Sequence, residues 1–411
     1  MGGPAYVSLF TGAGGLDLGL EMAGWRTAYA SDNDPFAVAT LKANVGTKIV
    51  HGKKALQGTF IEQADVRALD ARTILEKSGL ARGNAHMLAG GPPCQSWSSA
   101  GHQLGFEDPR GSLFFDFVRL ANRLDARWLL LENVRGLLTA RGPDGQPGSA
   151  LTQIRRDLLA AGFQTTVALM NAADFGVPQR RVRLFMFGFR SGDAPPFPEA
   201  THAKGPGQPD CSPWVTLGEA LMSILPLQPR EIIRPTGKLA LDLADIPPGS
   251  GVKSPGKPER TRPNGHWGYK QGAFVADLAQ SARTVTANTQ QDWVRDPMRG
   301  LRRLAPRECA AIQAFPPEWR FEGPVATQYR LIGNAVPPLL AKALGVSLAS
   351  HMDRNEIDSE ISHADLLPLP DRLAYHVRYT MREETSNGHS RRQGPRKRTT
   401  RVVETGAAAL V

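Results

Sequence analysis

Cysteine is scarce in this chain. The 411 residues include three, Cys94, Cys211 and Cys309, far apart and none in a C-x-x-C pair. So sparse and odd a count excludes a disulfide framework and a cysteine-ligated structural zinc. No metal site is expected. Long apolar runs are also lacking: nothing reaches the roughly 18 uninterrupted apolar residues of a membrane span. No early stretch joins a basic start to a long apolar run. The expectation is a soluble protein of the cell interior with no membrane partner. Acidic excess is absent too, the formal net charge being +10. A basic balance favours a polyanionic partner through attraction that carries no sequence information. Solvated basic faces account for it equally well. There are no internal repeats.

With 41% hydrophobic residues the chain can build one large core and a second, smaller unit. Residues 5–10, 27–32, 59–65, 86–91 and 127–134 read as short buried strands separated by amphipathic helical stretches such as 113–124. Strands alternating with helices indicate a mostly parallel α/β sheet of Rossmann-like type. A strand, loop, strand unit follows over 163–189. From 191 to about 280 the texture turns rich in Pro, Gly and polar residues, which implies a smaller irregular domain. Helical character returns at 306–315 and 337–352. The expected organisation is a cofactor-binding domain over 1–190, the small domain over 191–320, a return segment over 321–352, and a basic, disordered tail over 353–411.

The first strand runs into Phe10-Thr11-Gly12-Ala13-Gly14-Gly15. The turn starts like a dinucleotide fingerprint, but the third glycine of G-x-G-x-x-G falls on Asp17, which argues against a pyrophosphate site. S-adenosylmethionine has no phosphates and needs only close approach at such a turn. Asp32, ending the next strand, suits ribose hydroxyls, and Asp65, ending the third, can accept from an adenine amino group. Singly, each aspartate reads as readily as a helix cap.

The fourth strand leads into Gly90-Gly91-Pro92-Pro93-Cys94-Gln95-Ser96-Trp97-Ser98. Two glycines and two prolines fix a loop with Cys94 at its tip, the placement of a nucleophile whose pKa falls if a helix begins nearby. Glu132 ends the apolar strand Arg-Trp-Leu-Leu-Leu and points a carboxylate into the same cleft. In Gln179-Arg180-Arg181-Val182-Arg183, Arg181 and Arg183 alternate and share one face.

These blocks, taken in order, resemble the cytosine-5 DNA methyltransferase family over nearly residues 5–350. F-T-G-A-G-G is similar to its cofactor loop, and P-P-C-Q-S-W-S to its nucleophile loop, with Trp97 where the family more often has Phe. E-N-V, Q-R-R-V-R, R-R-L-A-P-R-E-C-A-A-I-Q-A-F-P and G-N-A-V-P resemble later blocks. The resemblance implies methyl transfer from S-adenosylmethionine to carbon 5 of a flipped cytosine in duplex DNA. It makes Cys94, Glu132, Arg181 and Arg183 the catalytic set. It assigns Phe10, Gly12, Gly14, Asp32, Asp65, Pro92, Asn334 and Val336 to the cofactor. Gln95 and Ser98 would touch DNA, and the segment after Arg190 would read the target. It further implies a monomer, with a cognate restriction endonuclease as an optional partner. Two rivals share the fold: an RNA cytosine methyltransferase and a catalytically inert DNA-binding protein. A nicotinamide-dependent oxidoreductase is disfavoured by Asp17.

Overall fold

A computed structural model describes residues 3–49, 52–93, 113–142, 144–205, 209–256, 272–352 and 365–387. The first half alternates as the sequence implies. Its elements are β1 (Ala5–Leu9), α1 (Gly15–Met22), β2 (Arg26–Asp32), α2 (Pro35–Ala43), β3 (Phe60–Gln63), α3 (Ala71–Ser78), β4 (Met87–Gly90), α4 (Leu113–Leu124), β5 (Trp128–Val134), α5 (Ser149–Ala160), β6 (Gln164–Asn171) and β7 (Val182–Phe189). The strands form one seven-stranded sheet in the order β3-β2-β1-β4-β5-β7-β6. β3 to β5 are parallel, and β7 runs antiparallel to both of its neighbours. Every residue of β1 and β4 is buried, because helices cover both faces; such strands read as continuous apolar runs. The strand order reverses between β1 and β4, the position at which open α/β sheets bind ligands outside the carboxyl ends of their strands.

The smaller unit holds β8 (His202–Ala203), β9 (Ser212–Pro213), α6 (Leu217–Met222), α7 (Gly237–Ala244), β10 (Ser250–Gly251), β11 (Phe274–Val275), β12 (Trp293–Asp296) and β13 (Gly300–Arg303). The last four make a small sheet packed around Leu243, Val275 and Trp293. Then come α8 (Pro306–Ile312), α9 (Val325–Asn334), α10 (Pro338–Met352) and α11 (Asp371–Asn387).

The packing changes earlier than the boundary expected at 320. Ile312, Phe315 and Trp319 share a core cluster with Leu18 of α1 and Leu41 of α2, and Trp319 donates to the Ala13 carbonyl at 3.1 Å. The return is completed by α10, which lies on α1; the Trp25 indole bonds the Gly345 carbonyl at 2.9 Å. The tail is also corrected in part. Residues 365–387 are not disordered: Leu373 is buried with Leu137 and Leu138. Arg155 donates to the Leu367 carbonyl at 2.5 Å, and Gln164 to that of Asp365 at 2.8 Å. The strongly basic stretch, 390–401, lies outside the described residues.

Beneath the glycine turn lie two buried acids. Thr27 donates to the Tyr6 hydroxyl at 2.7 Å, which donates to Asp17 at 3.0 Å, and the Leu56 amide donates to Glu21 at 2.7 Å. Burial lifts Asp17 to about 6 and Glu21 to about 7. Both folded values exceed the ordinary 3.8 and 4.5. Their stability contribution is therefore full below those ordinary values and is lost as pH rises through the folded ones. For Glu21, a rise from 4.5 to about 7 corresponds to roughly 3 kcal/mol. We expect resistance to denaturant to decline between about pH 4 and pH 7, and Glu21→Gln to remove about half of that decline, Asp17 supplying the rest. Urea titrations across pH check this; a slope unaltered in the variant would contradict it.

Candidate active site

The site assembles at the carboxyl ends of β1, β2, β4, β5 and the start of β7. Leu9 is in register with Gly90 on one side and Ser31 on the other, so the turn after β1 and the segment after β4 leave the sheet side by side. In the turn, the Gly12 amide donates to Asp32 at 2.8 Å, and the Asp34 amide donates to its other oxygen at 2.8 Å. Burial raises the Asp32 pKa against these two bonds. A carboxylate offers about four lone-pair sites. Two remain for a ligand's hydroxyls, while the Gly12 amide is spent and cannot cradle a phosphate.

Gly15 begins α1 beneath the return segment. A Cβ there would lie 2.1 Å from the Val336 carbonyl oxygen, so only glycine lets the two chains meet. Val336 is buried and Asn334, the last residue of α9, is exposed. Phe10 is half-buried, with φ of 55°. Gly14 adopts φ of 77° at the helix start. Asp65 behaves differently from Asp32. It caps the short turn Val66–Ala68 by accepting the Arg67 amide at 3.0 Å, and it also holds the Arg67 guanidinium, which lowers its pKa. Its carboxylate is engaged by its own turn.

Glu132 and Arg183 meet on facing strands. Arg183 pairs with Val134 in the ladder, so Glu132 is its diagonal neighbour on the same face. Their side chains are 14% and 17% exposed, and Arg183 Nε lies 3.2 Å from Glu132 Oε1. Burial raises the Glu132 pKa; the charges of Arg183 and then Arg181 oppose the rise. The other oxygen, Oε2, stands 2.9 Å from where a Gly91 side chain would begin, so only glycine leaves the carboxylate room beside the segment leading to Cys94. Pro92 and Pro93 line a cavity with Glu132 and Asn133, walled by Phe114 and Leu131. Cys94, Gln95 and Ser98 lie outside the described residues.

Arg181 does not duplicate Arg183. It precedes β7, is 1% exposed, and donates to the carbonyls of Val285 at 3.1 Å and Gly333 at 2.7 Å. It ties the smaller unit and α9 to the sheet, and its charge acts on Glu132. Two residues escaped the sequence reading. Gln179 accepts from the Val285 amide at 3.0 Å and bonds Gln313 at 2.5 Å, while Gln313 donates to the Ile332 carbonyl at 2.6 Å. Both are fully buried amides, and only their place inside the quoted blocks could have marked them.

Residues 5–350 match the family described as C-5 cytosine-specific DNA methylase. Type II methyltransferase M.Eco47II of Escherichia coli is 32% identical, spanning 85% of this chain and 79% of its own. Type II methyltransferase M.NgoPII of Neisseria gonorrhoeae is 30% identical over 85% of this chain and 96% of its own. Two solved structures share the fold. The Entamoeba histolytica methyltransferase EhMeth aligns with a TM-score of 0.59 at 13% identity, covering 86% of this chain and 99% of that one. The S. pombe Dnmt2 methyltransferase aligns with a TM-score of 0.55 at 14% identity, with the same coverage. The buried Glu132–Arg183 pair thus sits in a chain that belongs to the C-5 cytosine-specific DNA methylase family, and the protein is a DNA cytosine methyltransferase.

Proposed function

We propose that the chain methylates carbon 5 of a cytosine turned out of a specific duplex sequence, with S-adenosylmethionine as donor and a transient Cys94 bond to carbon 6. The observation that carries the reading is the buried acid Glu132, held by Arg183 beside Pro92 and Pro93. A base stacked in a duplex cannot reach a cavity of this kind, hence the extrusion. The donor supplies an electrophilic methyl on a sulfonium. The residues of the turn fit it: Asp32 keeps lone pairs for ribose hydroxyls, Gly12 and Gly14 bring backbone close, and the Val336 backbone borders the same turn at Gly15.

Carbon 5 of cytosine is a poor nucleophile. Addition of the Cys94 thiolate at carbon 6 makes the ring enamine-like and sends electron density towards N3. Glu132, its pKa raised by burial, donates a proton at N3 as that charge develops. Arg183 orients the carboxyl and binds the base's O2. Carbon 5 then takes the methyl group. Loss of its proton re-forms the double bond to carbon 6 and expels the thiolate, and the N3 proton returns to Glu132, which regenerates the site. The carbon 5 proton leaves to water in this scheme.

Sequencing 5-methylcytosine in DNA from cells that express the chain tests substrate, activity and target together. We expect the mark at one short recurring sequence, and none in transfer RNA. Methylation confined to RNA would favour the RNA rival; no methylation of either would favour the inert one.

A further inference from the structure

The C-terminal helix lies beyond the 5–350 family match, yet it docks beside the active site. Leu373 buries one face of α11 against Leu137 and Leu138, in the short turn Arg135–Thr139 that follows β5. Val377, one helical turn on, packs over Gly148. The turn begins three residues after Glu132, and three residues of chain span at most about 10 Å. α11 is therefore anchored at the edge of the sheet where the base must enter.

The other face of α11 is basic and aromatic. Arg372, Tyr375 and His376 stand at i, i+3 and i+4, which places them on one stripe. Arg372 and Tyr375 are exposed and His376 is half-buried. Arg135 begins the turn on which α11 docks. Burial and then the Arg372 charge lower the Arg135 pKa, and burial followed by Arg135 and Arg372 lowers that of His376. Among the described residues, none of the three forms an ion pair. Asp371 adjoins Arg372 in sequence without pairing to it. Asp174 feels the Arg372 charge but is bonded to the Trp214 indole at 2.9 Å and to Asn171 at 3.4 Å. Two arginines that feel each other's charge, with no acid paired to either among the described residues, raise each other's energy, and a bound anion relieves it.

We propose that Arg135, Arg372 and His376 form a phosphate clamp on the strand of duplex DNA that flanks the extruded cytosine, with α11 as a family-external addition that holds it. The proposal rests on the reading that the base enters beside Glu132. A duplex backbone supplies phosphates at the spacing and density such a patch would use, and the contact adds affinity without sequence information.

The test is the salt dependence of duplex binding by the full chain, wild type against Arg372→Ala and Arg372→Lys. Alanine is expected to weaken binding about 3- to 10-fold on target and non-target duplexes alike. It should also reduce the slope of log Kd against log salt by about one. Lysine is expected to restore the slope. Unchanged affinity and slope in an alanine variant that melts like the wild type overturns the clamp. Arg135→Ala, read in the same way, decides the matter if Arg372→Ala folds poorly. The two readings fail separately. Methylation that proceeds with the slope unaltered sinks the clamp alone. A wild type that binds duplex with a slope sensitive to Arg372 but never methylates it sinks the functional reading alone. A wild type that does not bind duplex sinks both.

Discussion

Replacing Cys94 by alanine is expected to cut methyl transfer by a factor on the order of 10⁴ or more while leaving duplex and donor binding in place. The size follows from the chemistry. Without addition at carbon 6 there is no enamine, and the remaining site only positions two partners that do not react readily. Binding should survive because the proposed donor contacts lie, Pro92 apart, in the turn after β1 and in the return segment rather than on the segment of Cys94. Two measurements separate this from general damage. Donor and duplex affinities should match the wild type. A duplex carrying 5-fluorocytosine at the target should form a denaturant-stable complex with the wild type and none with the variant, since fluorine cannot leave as a proton does. Retained methylation in Cys94→Ala would contradict the mechanism, as would an active wild type that fails to form the adduct.

Glu132→Gln should lower the single-turnover rate by roughly 10² to 10⁴, the range spanned by loss of a positioned proton donor. The pH dependence carries the sharper statement. Burial raises the pKa of Glu132 and the Arg183 charge restrains it. The carboxyl holds its proton below the raised pKa and loses it above, so the wild-type rate should fall as pH climbs through that value. In Glu132→Gln the residual rate should lose this limb. Arg183→Ala removes the restraining charge, so the limb should move to higher pH even as the overall rate drops. A Glu132→Gln enzyme as fast as the wild type, or a limb that stays put in Arg183→Ala, would remove Glu132 from the proton step.

Much of the catalytic half was readable because its strands are buried on both faces, and unbroken apolar runs mark them. Leu129 to Leu131 announce β5, and Glu132, the first polar residue after them, had to emerge at the ligand edge. Helix α4 falls on the 113–124 stretch picked out by its periodicity. Arg181 and Arg183 looked equivalent because alternation specifies a face and nothing more. What separates them is contact with Val285 and Gly333, more than a hundred residues away, which no local pattern encodes. Asp65 and Asp32 likewise share a position at strand ends, and differ because Arg67 happens to follow one and the Gly12 amide meets the other. Helix α11 was hidden by composition: its polar, basic sequence has a low apolar content, and a few residues such as Leu373 and Val377 suffice to dock it. The smaller unit was opaque because its two-residue strands pair across long gaps.

The seam between Gln179 and Ala282 has a practical consequence. Pro178 accepts from the Ala282 amide at 2.9 Å, and Arg180 donates to the Ala282 carbonyl at 2.8 Å, so the two backbones brace each other at the entry to β7. Arg183 follows within one turn of chain. Any exchange of the smaller unit must therefore keep residues 178–180 and 282 as they are, because the backbone that receives the unit also sets the strand that carries Arg183.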